Sequence, residues 1–193
     1  VKEVISVTPT IKEVLNFVNE NDVKFIRLSF CDLFGEQKNI AIMPSELETA
    51  FENGVSFDGS SINGFTKVVG SDLFLYPDAS TLSLLPWRPG QGRVIRFFCD
   101  IKNYDGSIYD CDTRSILKKT IRRSHTMGFN FKLGTESEFY LFKTNKNGNP
   151  TRVTFDKGGY FDMAPLDKGE NIRREICLCL EEMGIIPESS HHE

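Results

Sequence analysis

The sequence predicts an α+β protein in which several strands surround a few short helices. The clearest observation is a hairpin. Val23 to Cys31 is rich in aromatic and branched residues, and a second strand, Gln37 to Met43, follows a tight connection at Gly35. The other observation is that apolar residues recur at helical spacing, first near 11–18 and again near 172–183.

The elements of the first region follow from their terminal residues. A first helix is predicted to begin at Thr8 as its N-cap, with Pro9 in the first turn. After the hairpin, Pro44 and Ser45 start a short helix that Gly54 ends. A polar, glycine-rich loop and three strands are then predicted at 56–64, 73–76, 81–85 and 93–101.

A second region is predicted from Asp110 onward. Asp112 can cap a helix that runs to Met127 and stops at Gly128. A strand, Phe129 to Phe142, follows it. The later predicted elements are a polar turn, a loop, an amphipathic helix and a strand, at 144–150, 158–165, 172–183 and 185–193.

Length and composition limit the classes of protein. The 193 residues, 39% apolar and 26% charged, suit a globular protein with one domain at 1–109 and the start of a second at 110–193. The net charge of −4 disfavours nucleic acid and acidic membranes as partners. No apolar run is as long as a membrane span, the first residues do not resemble a signal peptide, and five cysteines without a Cys-x-x-Cys pair suggest reduced thiols. We therefore expect a cytoplasmic protein.

Two glutamates in the predicted strand at 129–142 are the first candidate site. The odd positions of this strand are mostly apolar, whereas the even positions include Glu136 and Glu138. Side chains two residues apart in a strand share one face, so the two carboxylates start roughly 5–7 Å apart. Such a pair is stable in water or around a hard divalent cation such as Mg²⁺ or Mn²⁺. A half-exposed strand with a charged outer face is the alternative interpretation.

Two further segments carry candidate ligands. Asp58, followed closely by Ser60 and Ser61, offers a carboxylate and two hydroxyls that can hold a small cation. The alternative is a turn capped by its own Asp and Ser side chains. The last six residues, 188–193, combine oxygen and imidazole groups, although their histidines can equally be ordinary strand residues. His125 is expected on the surface of its helix.

Four motifs, taken in order, resemble glutamine synthetase of the bacterial type. They are Asp-Gly-Ser-Ser from 58, Gly-Thr-Glu-Ser-Glu-Phe from 134, Gly-Gly-Tyr-Phe from 158 and His-His-Glu from 191. The resemblance covers nearly the whole chain. It implies a β-grasp N-terminal domain followed by the first part of an antiparallel-sheet catalytic domain. It also implies assembly into two stacked hexameric rings, with active sites between neighbouring subunits.

The resemblance implies a reaction and its metal ligands. ATP, glutamate and ammonium would give glutamine through γ-glutamyl phosphate, with two or more Mg²⁺ or Mn²⁺ ions. Glu136 resembles a ligand of the metal on the nucleotide-phosphate side. Glu138 and Glu193 resemble ligands of a second metal on the glutamate side. Divalent cations suit phosphoryl transfer because it depends on positioning and charge neutralisation.

The same resemblance assigns the substrate contacts. Asp58 looks like the group that binds ammonium and takes its proton, in a neighbouring subunit's site. Ser61, Tyr160 and Glu193 resemble the other walls of the ammonium pocket, and Glu193 is a catalytic candidate with Asp58. Glu188 matches a nucleotide contact.

Three alternatives remain open at this stage: a ligase that joins glutamate to an amine such as a polyamine, a non-catalytic assembly protein of the same superfamily, and a short binding protein. Because the family's other metal ligands and phosphate-binding arginines would lie beyond residue 193, we expect the chain alone to have no synthetase activity.

Overall fold

The computed structural model describes residues 9–65, 71–87 and 92–193. It divides into two compact units, Val1–Phe131 and Lys132–Glu193, which are called the first and second unit below. The expected fold class is confirmed: the structure is mixed α+β, with a multi-stranded sheet in the first unit.

The first unit is built on one six-stranded sheet. Its strands are β1 (Val23–Cys31), β2 (Gln37–Ile42), β3 (Val55–Asp58), β4 (Asp72–Pro77), β5 (Ser83–Leu84) and β6 (Arg93–Lys102). The order across the sheet is β2-β1-β6-β4-β3, and β5 pairs with β6. β1 and β6 are parallel, whereas every other pair is antiparallel. The hairpin predicted from the sequence is confirmed as β1 and β2.

Two helices pack against this sheet, and the hydrophobic core lies between them and the sheet. They are α1 (Ile11–Glu20) and α2 (Leu47–Asn53), and a 3₁₀ turn, Pro44–Glu46, leads into α2. Along β6, alternate residues from Ile95 to Ile101 are buried, as expected for a strand with one face on a core. Val14 of α1 and Leu47 of α2 are almost fully buried in the same cluster.

The start of α1 corrects one prediction. Thr10, rather than Thr8, is the N-cap, and its hydroxyl accepts a hydrogen bond from the backbone N–H of Glu13. The Glu13 carboxylate in turn accepts a hydrogen bond from the Thr10 backbone N–H, which completes a capping box. Thr8 lies outside the described residues. The reciprocal cap satisfies two free N–H groups, so it is favoured over a simple cap beside Pro9.

A third helix of the first unit, α3 (Thr113–Thr126), is fixed by polar contacts. Asp112 caps it as predicted, because its carboxylate accepts from the backbone N–H groups of Arg114 and Ser115. The Arg114 guanidinium donates to Asp78 and Asp100, both at 2.6 Å. Lys118, one turn later, contacts Asp100 at 2.8 Å. These ion pairs hold α3 against the end of β4 and against β6.

The second unit contains a small hairpin and one helix. β7 (Phe142–Thr144) and β8 (Pro150–Thr154) are antiparallel, and α4 (Glu170–Glu182) is the predicted amphipathic helix. Gly184 follows α4 with φ +79°, a conformation that glycine adopts without strain. Ile172 and Ile176 of α4 remain about 41% exposed, so the predicted helix forms without burying its apolar side among the described residues.

Three other predictions are wrong in detail. Residues 129–141 and 185–193 form no strand, and the glycine-rich loop starts at Gly59, because Ser56 to Asp58 belong to β3. A strand needs a ladder of hydrogen bonds to a neighbour. The two segments have only isolated backbone bonds to other described residues, such as Phe129 N–H to the Ser124 carbonyl at 3.0 Å and Phe155 N–H to the Leu141 carbonyl at 2.8 Å. In the described part of the chain, no helix is long and apolar enough to cross a membrane.

Candidate functional site

Asp58 ends β3 and holds the following 3₁₀ turn, Gly59–Ser61. Its Oδ1 accepts from the Ser60 backbone N–H at 2.9 Å and from the Ser60 hydroxyl at 2.7 Å. Its Oδ2 accepts from the Ser61 hydroxyl at 3.1 Å. The structure therefore brings together two residues of the predicted ammonium pocket, Asp58 and Ser61.

These hydrogen bonds keep the Asp58 side chain ionised. The hydroxyl and N–H of Ser60 lower the pKa of the Asp58 carboxyl below its usual value, and Ser61 and Ser71 add to the effect. Asp58 is also exposed. It borders an open groove of about 510 Å³ with Ser61, Lys38 and the apolar side chains of Phe30 and Ile40. A solvent-facing carboxylate of this kind can attract a small cation.

The structure places three predicted ligands on the surface of the second unit. Glu136 and Glu138 lie in the irregular segment before β7, and Glu188 lies after α4. All three are exposed, and none makes a hydrogen bond or ion pair with another described residue. Their oxygen atoms are therefore free for a ligand from outside.

Tyr160 and Glu193 are brought together through His191. The Tyr160 ring meets the His191 ring edge-on, with centroids 5.3 Å apart. The Nδ1 of His191 lies 3.5 Å from Oε2 of Glu193. Phe161, next to Tyr160, also packs on His191 at 4.6 Å. Two predicted walls of the ammonium pocket thus share one neighbour, which the sequence left undecided between ligand and strand residue.

A group of three side chains in the second unit was not predicted. Asp156, Asp167 and His192 each place a potential metal-binding atom within 4.8 Å of the others. Among the described residues, no other group of three or more His, Cys, Asp or Glu side chains lies this close together. Glu136, Glu138 and Glu193 are therefore not assembled into a metal site in this structure. The local sequence signal was weak: Asp156 stands two residues before Gly158, and nothing near it pointed to His192.

Hydrogen bonds already occupy this group. Oδ1 of Asp156 contacts His192 Nε2 at 3.0 Å, and Oδ2 accepts from the Lys168 N–H at 2.8 Å. Arg173 donates to both oxygens of the buried Asp167. A bound cation would have to displace the Arg173 guanidinium, so the group fits a hydrogen-bond network better than a metal centre.

The same contacts shift the pKa values of these groups. The bond to Arg173 lowers the pKa of Asp167. The Lys168 N–H and the His192 ring lower the pKa of Asp156, and Asp156 in turn raises the pKa of His192. Each shift favours the charged form of its group, which strengthens the contacts between these groups.

The donor chemistry decides which residues suit divalent cations. Mg²⁺ and Mn²⁺ prefer oxygen ligands, and the carboxylates of Glu136 and Glu138 are exposed and unpaired among the described residues. The Glu193 carboxylate has only the long contact to His191. These three therefore fit a metal better than the occupied Asp156 and Asp167.

Comparison with known proteins identifies the family. A sequence model of the glutamine synthetase β-grasp domain matches residues 22–104, and one of the glutamine synthetase catalytic domain matches 110–193. Proteins named glutamine synthetase from Clostridium saccharobutylicum and Methanosarcina mazei are 48% and 50% identical over 184 residues. Each alignment covers 95% of this chain, which spans 42% and 41% of those relatives.

Solved structures with a similar fold include a glutamine synthetase, in agreement with the sequence matches. A cryo-EM structure of Plasmodium falciparum glutamine synthetase matches with a TM-score of 0.74 at 25% identity, covering 97% of this chain and 43% of that one. A protein called GmaS, solved as an ADP complex, shares the fold with a TM-score of 0.70 at 20% identity, over 92% of this chain and 40% of its own. With β-grasp and catalytic-domain matches in succession, the chain belongs to the glutamine synthetase family.

Proposed function

We propose that the full-length protein containing this chain joins ammonia to glutamate, with hydrolysis of ATP, to form glutamine. The observation that carries the proposal is the match over 95% of the chain to relatives named glutamine synthetase. The free carboxylates of Glu136 and Glu138 and the solvent-facing carboxylate of Asp58 support it, because the reaction needs anionic groups for cations and for ammonium.

The first chemical role belongs to Asp58. Its lowered pKa means that the side chain is a carboxylate near neutral pH, so it attracts ammonium by charge. The same oxygen atoms can accept the proton that ammonium must lose to become a nucleophile. The Ser61 hydroxyl, bonded to Oδ2, fixes the orientation of the carboxylate. Asp58 would act in the site of a neighbouring subunit.

The second unit supplies the remaining roles. Glu136, Glu138 and Glu193 would hold divalent cations, which when bound neutralise phosphate charge during transfer. Tyr160, packed beside His191, would form a wall of the ammonium pocket with Glu193. Glu188 would contact the nucleotide. Each of these side chains is exposed, as a residue that meets substrate must be.

The proposal extends to the organisation of the whole protein. We expect its domains to divide near residue 110, in agreement with the ranges 22–104 and 110–193 that the two family models match. We expect two stacked hexameric rings, as the membership in the glutamine synthetase family implies, in which Asp58 would complete the site of a neighbouring subunit. The five cysteines are free, which suits a reducing, cytoplasmic environment.

An assay of the full-length protein tests this function. ADP release is measured by a coupled assay with glutamate, ammonium and Mg²⁺, omitting each in turn. We expect turnover to require all three and glutamine to accumulate in step with ADP. ADP release that does not depend on ammonium, or a product other than glutamine, would contradict the proposal. The 193-residue chain alone, assayed in parallel, is expected to be inactive.

The same assay separates the amine ligases from the ammonia ligases. Polyamines and methylamine replace ammonium at equal concentration. A carboxylate whose oxygens are bonded to two serine hydroxyls offers one localised charge, which suits a small cation, so we expect ammonium to give the highest kcat/KM. A higher kcat/KM with a polyamine would assign the protein to the amine-using branch instead.

A further inference from the structure

Two segments of the second unit, about 30 residues apart in sequence, are joined at His192. Its Nε2 contacts Oδ1 of Asp156 at 3.0 Å, and its backbone carbonyl accepts from the Phe161 N–H at 2.9 Å. The chain also passes close to the ring, because a Cβ added at Gly158 would lie 3.0 Å from Nε2. His192 therefore contacts the loop 156–161 through both its side chain and its backbone.

The partner of His192 is itself firmly held. Asp156 accepts from the Gly158 N–H at 3.3 Å and from the Lys168 N–H at 2.8 Å. The other ring nitrogen of His192, Nδ1, is buried and has no hydrogen-bond partner among the described residues. The orientation of the ring therefore depends mainly on the bond from Nε2 to Asp156, with a weaker interaction at the Glu193 backbone.

A second set of hydrogen bonds attaches the segment 190–193 to α4. Arg173 binds both oxygens of Asp167, at 3.2 and 2.6 Å, and its Nε donates to the Ser190 hydroxyl at 3.2 Å. Since Ser190 lies two residues before His192, the segment that ends in Glu193 is attached to the helix as well as to the loop. Asp167 is 4% exposed, so its bonds to Arg173 are partly shielded from solvent, whereas the Arg173–Ser190 bond is exposed.

The residues held in this way adjoin the proposed site. Phe161 adopts φ +59°, which is unfavourable for a bulky side chain and persists only when its surroundings enforce it. Its N–H bond to His192 is one such constraint. Tyr160 precedes Phe161, and Glu193 follows His192. Movement of His192 would therefore displace both proposed walls of the ammonium pocket.

We propose that His192, oriented by Asp156, is a positioning residue that fixes Tyr160 and Glu193 relative to each other for ammonium capture. This inference rests on the proposed function. His192 itself does not contact substrate in this account. It acts by clamping the loop 156–161 to the segment 190–193.

The test compares two substitutions in the full-length protein. The amide of glutamine reaches about as far as Nε2 and can still donate to Asp156, whereas the amide of asparagine reaches only the position of Nδ1, where no partner lies. His192→Asn is therefore expected to lower kcat/KM for ammonium about 10- to 100-fold, with the KM for ATP changed less than about twofold. His192→Gln is expected to recover most of the loss. His125→Asn, at an exposed helix position, is the control.

Hydrogen exchange provides a readout that does not depend on activity. Amide exchange in a peptide covering 158–164 should accelerate at least about tenfold in His192→Asn but not in His192→Gln. Faster exchange with unchanged kcat/KM for ammonium would overturn the positioning role. Unchanged exchange, or equal loss of all kinetic constants in both variants, would also overturn it. Absence of ammonium-dependent turnover in the unmodified protein would instead refute the proposed function, while the exchange result would still test the clamp.

Discussion

Asp58 illustrates how a short turn keeps a carboxylate available for a cation. Ser60 and Ser61 satisfy part of its hydrogen-bonding capacity and hold it at the end of β3, yet the side chain stays exposed. The sequence predicted the residues and left a capped turn as the alternative. The structure contains that capped turn, and the turn itself aims an ionised group at the groove, so the two interpretations are compatible.

Replacement of Asp58 tests its role in the full-length protein. Asp58→Asn keeps the shape but removes the charge and the proton acceptor, so kcat/KM for ammonium should fall by about 10²-fold or more. Asp105→Asn is a matched control, because Asp105 accepts from the Ser107 N–H and hydroxyl in a similar turn away from the groove. If both variants lose activity equally, the effect belongs to turn stability and the role of Asp58 is wrong.

The missed residue pair, Asp156 and His192, marks the limit of sequence reasoning at this scale. Each lies in a segment without regular secondary structure, and 36 positions separate them. No periodicity connects such residues. Their contact depends on how the loop 156–169 folds around backbone donors such as the Lys168 N–H, which a one-dimensional pattern does not specify.

At the scale of elements, α3 is held in place by side-chain ion pairs more than by apolar packing. Ile116, Leu117 and Ile121 are each more than a third exposed. By contrast, Arg114 bridges Asp78 and Asp100, and the side chains of these three residues are only about a quarter exposed. The capped start of the helix was predictable because Asp112 precedes a helical pattern. The ion pairs were not, because they join strands and a helix that are far apart in sequence.

Arg114→Met should therefore destabilise the first unit. The substitution removes the hydrogen bonds from the guanidinium to two carboxylates. We therefore expect the free energy of unfolding at pH 7 to decrease by about 1.5–3 kcal/mol. Urea unfolding of the 193-residue chain, followed by fluorescence of its single tryptophan, Trp87, measures the change. Arg122→Met, at an exposed position on the same helix without a described partner, should change little. A loss as large in the control would show that helix propensity, and not the bridge, is responsible.

The bridge also predicts a pH dependence. Burial raises the pKa of Asp78, but hydrogen bonds from Ser80 and Arg114 outweigh it, so the folded pKa lies below the usual value. A carboxyl with a lowered folded pKa contributes stability that is complete above its unfolded pKa of about 3.9 and is lost as the pH falls through the folded value. The difference between Arg114→Met and the unmodified chain should shrink below about pH 4. A constant difference down to pH 2 would contradict the ionic origin.

The predicted strands differ in outcome for one physical reason. β1, β2, β4 and β6 formed close to the predicted positions because each finds a neighbour within the first unit. Residues 129–141 have the alternation of a strand, but they meet no ladder partner among the described residues, and Phe131 and Leu133 are about 70% exposed. Alternation predicts which residues share a face. It does not supply the neighbour that makes the segment a strand.

At the scale of the whole molecule, the family and fold class were predictable because the motifs occur in order along the chain. Metal binding depends on more than this order. Glu136 and Glu138 offer free oxygen atoms, and Glu193 has only a long contact to His191, but the three are not gathered into one group among the described residues. The chain spans about two fifths of its relatives, so other ligands in the full-length protein would complete the proposed sites.

Calorimetric titration of the full-length protein with Mn²⁺ tests the proposed metal sites most directly. We expect tight, stoichiometric binding in the unmodified protein and affinity at least about tenfold weaker in Glu138→Gln. Glu182→Gln, an exposed glutamate on α4 without a described partner, should bind as the unmodified protein does. If Mn²⁺ does not bind tightly, or binds equally well in Glu138→Gln, these glutamates are ordinary surface charges and the proposed ligase site is wrong.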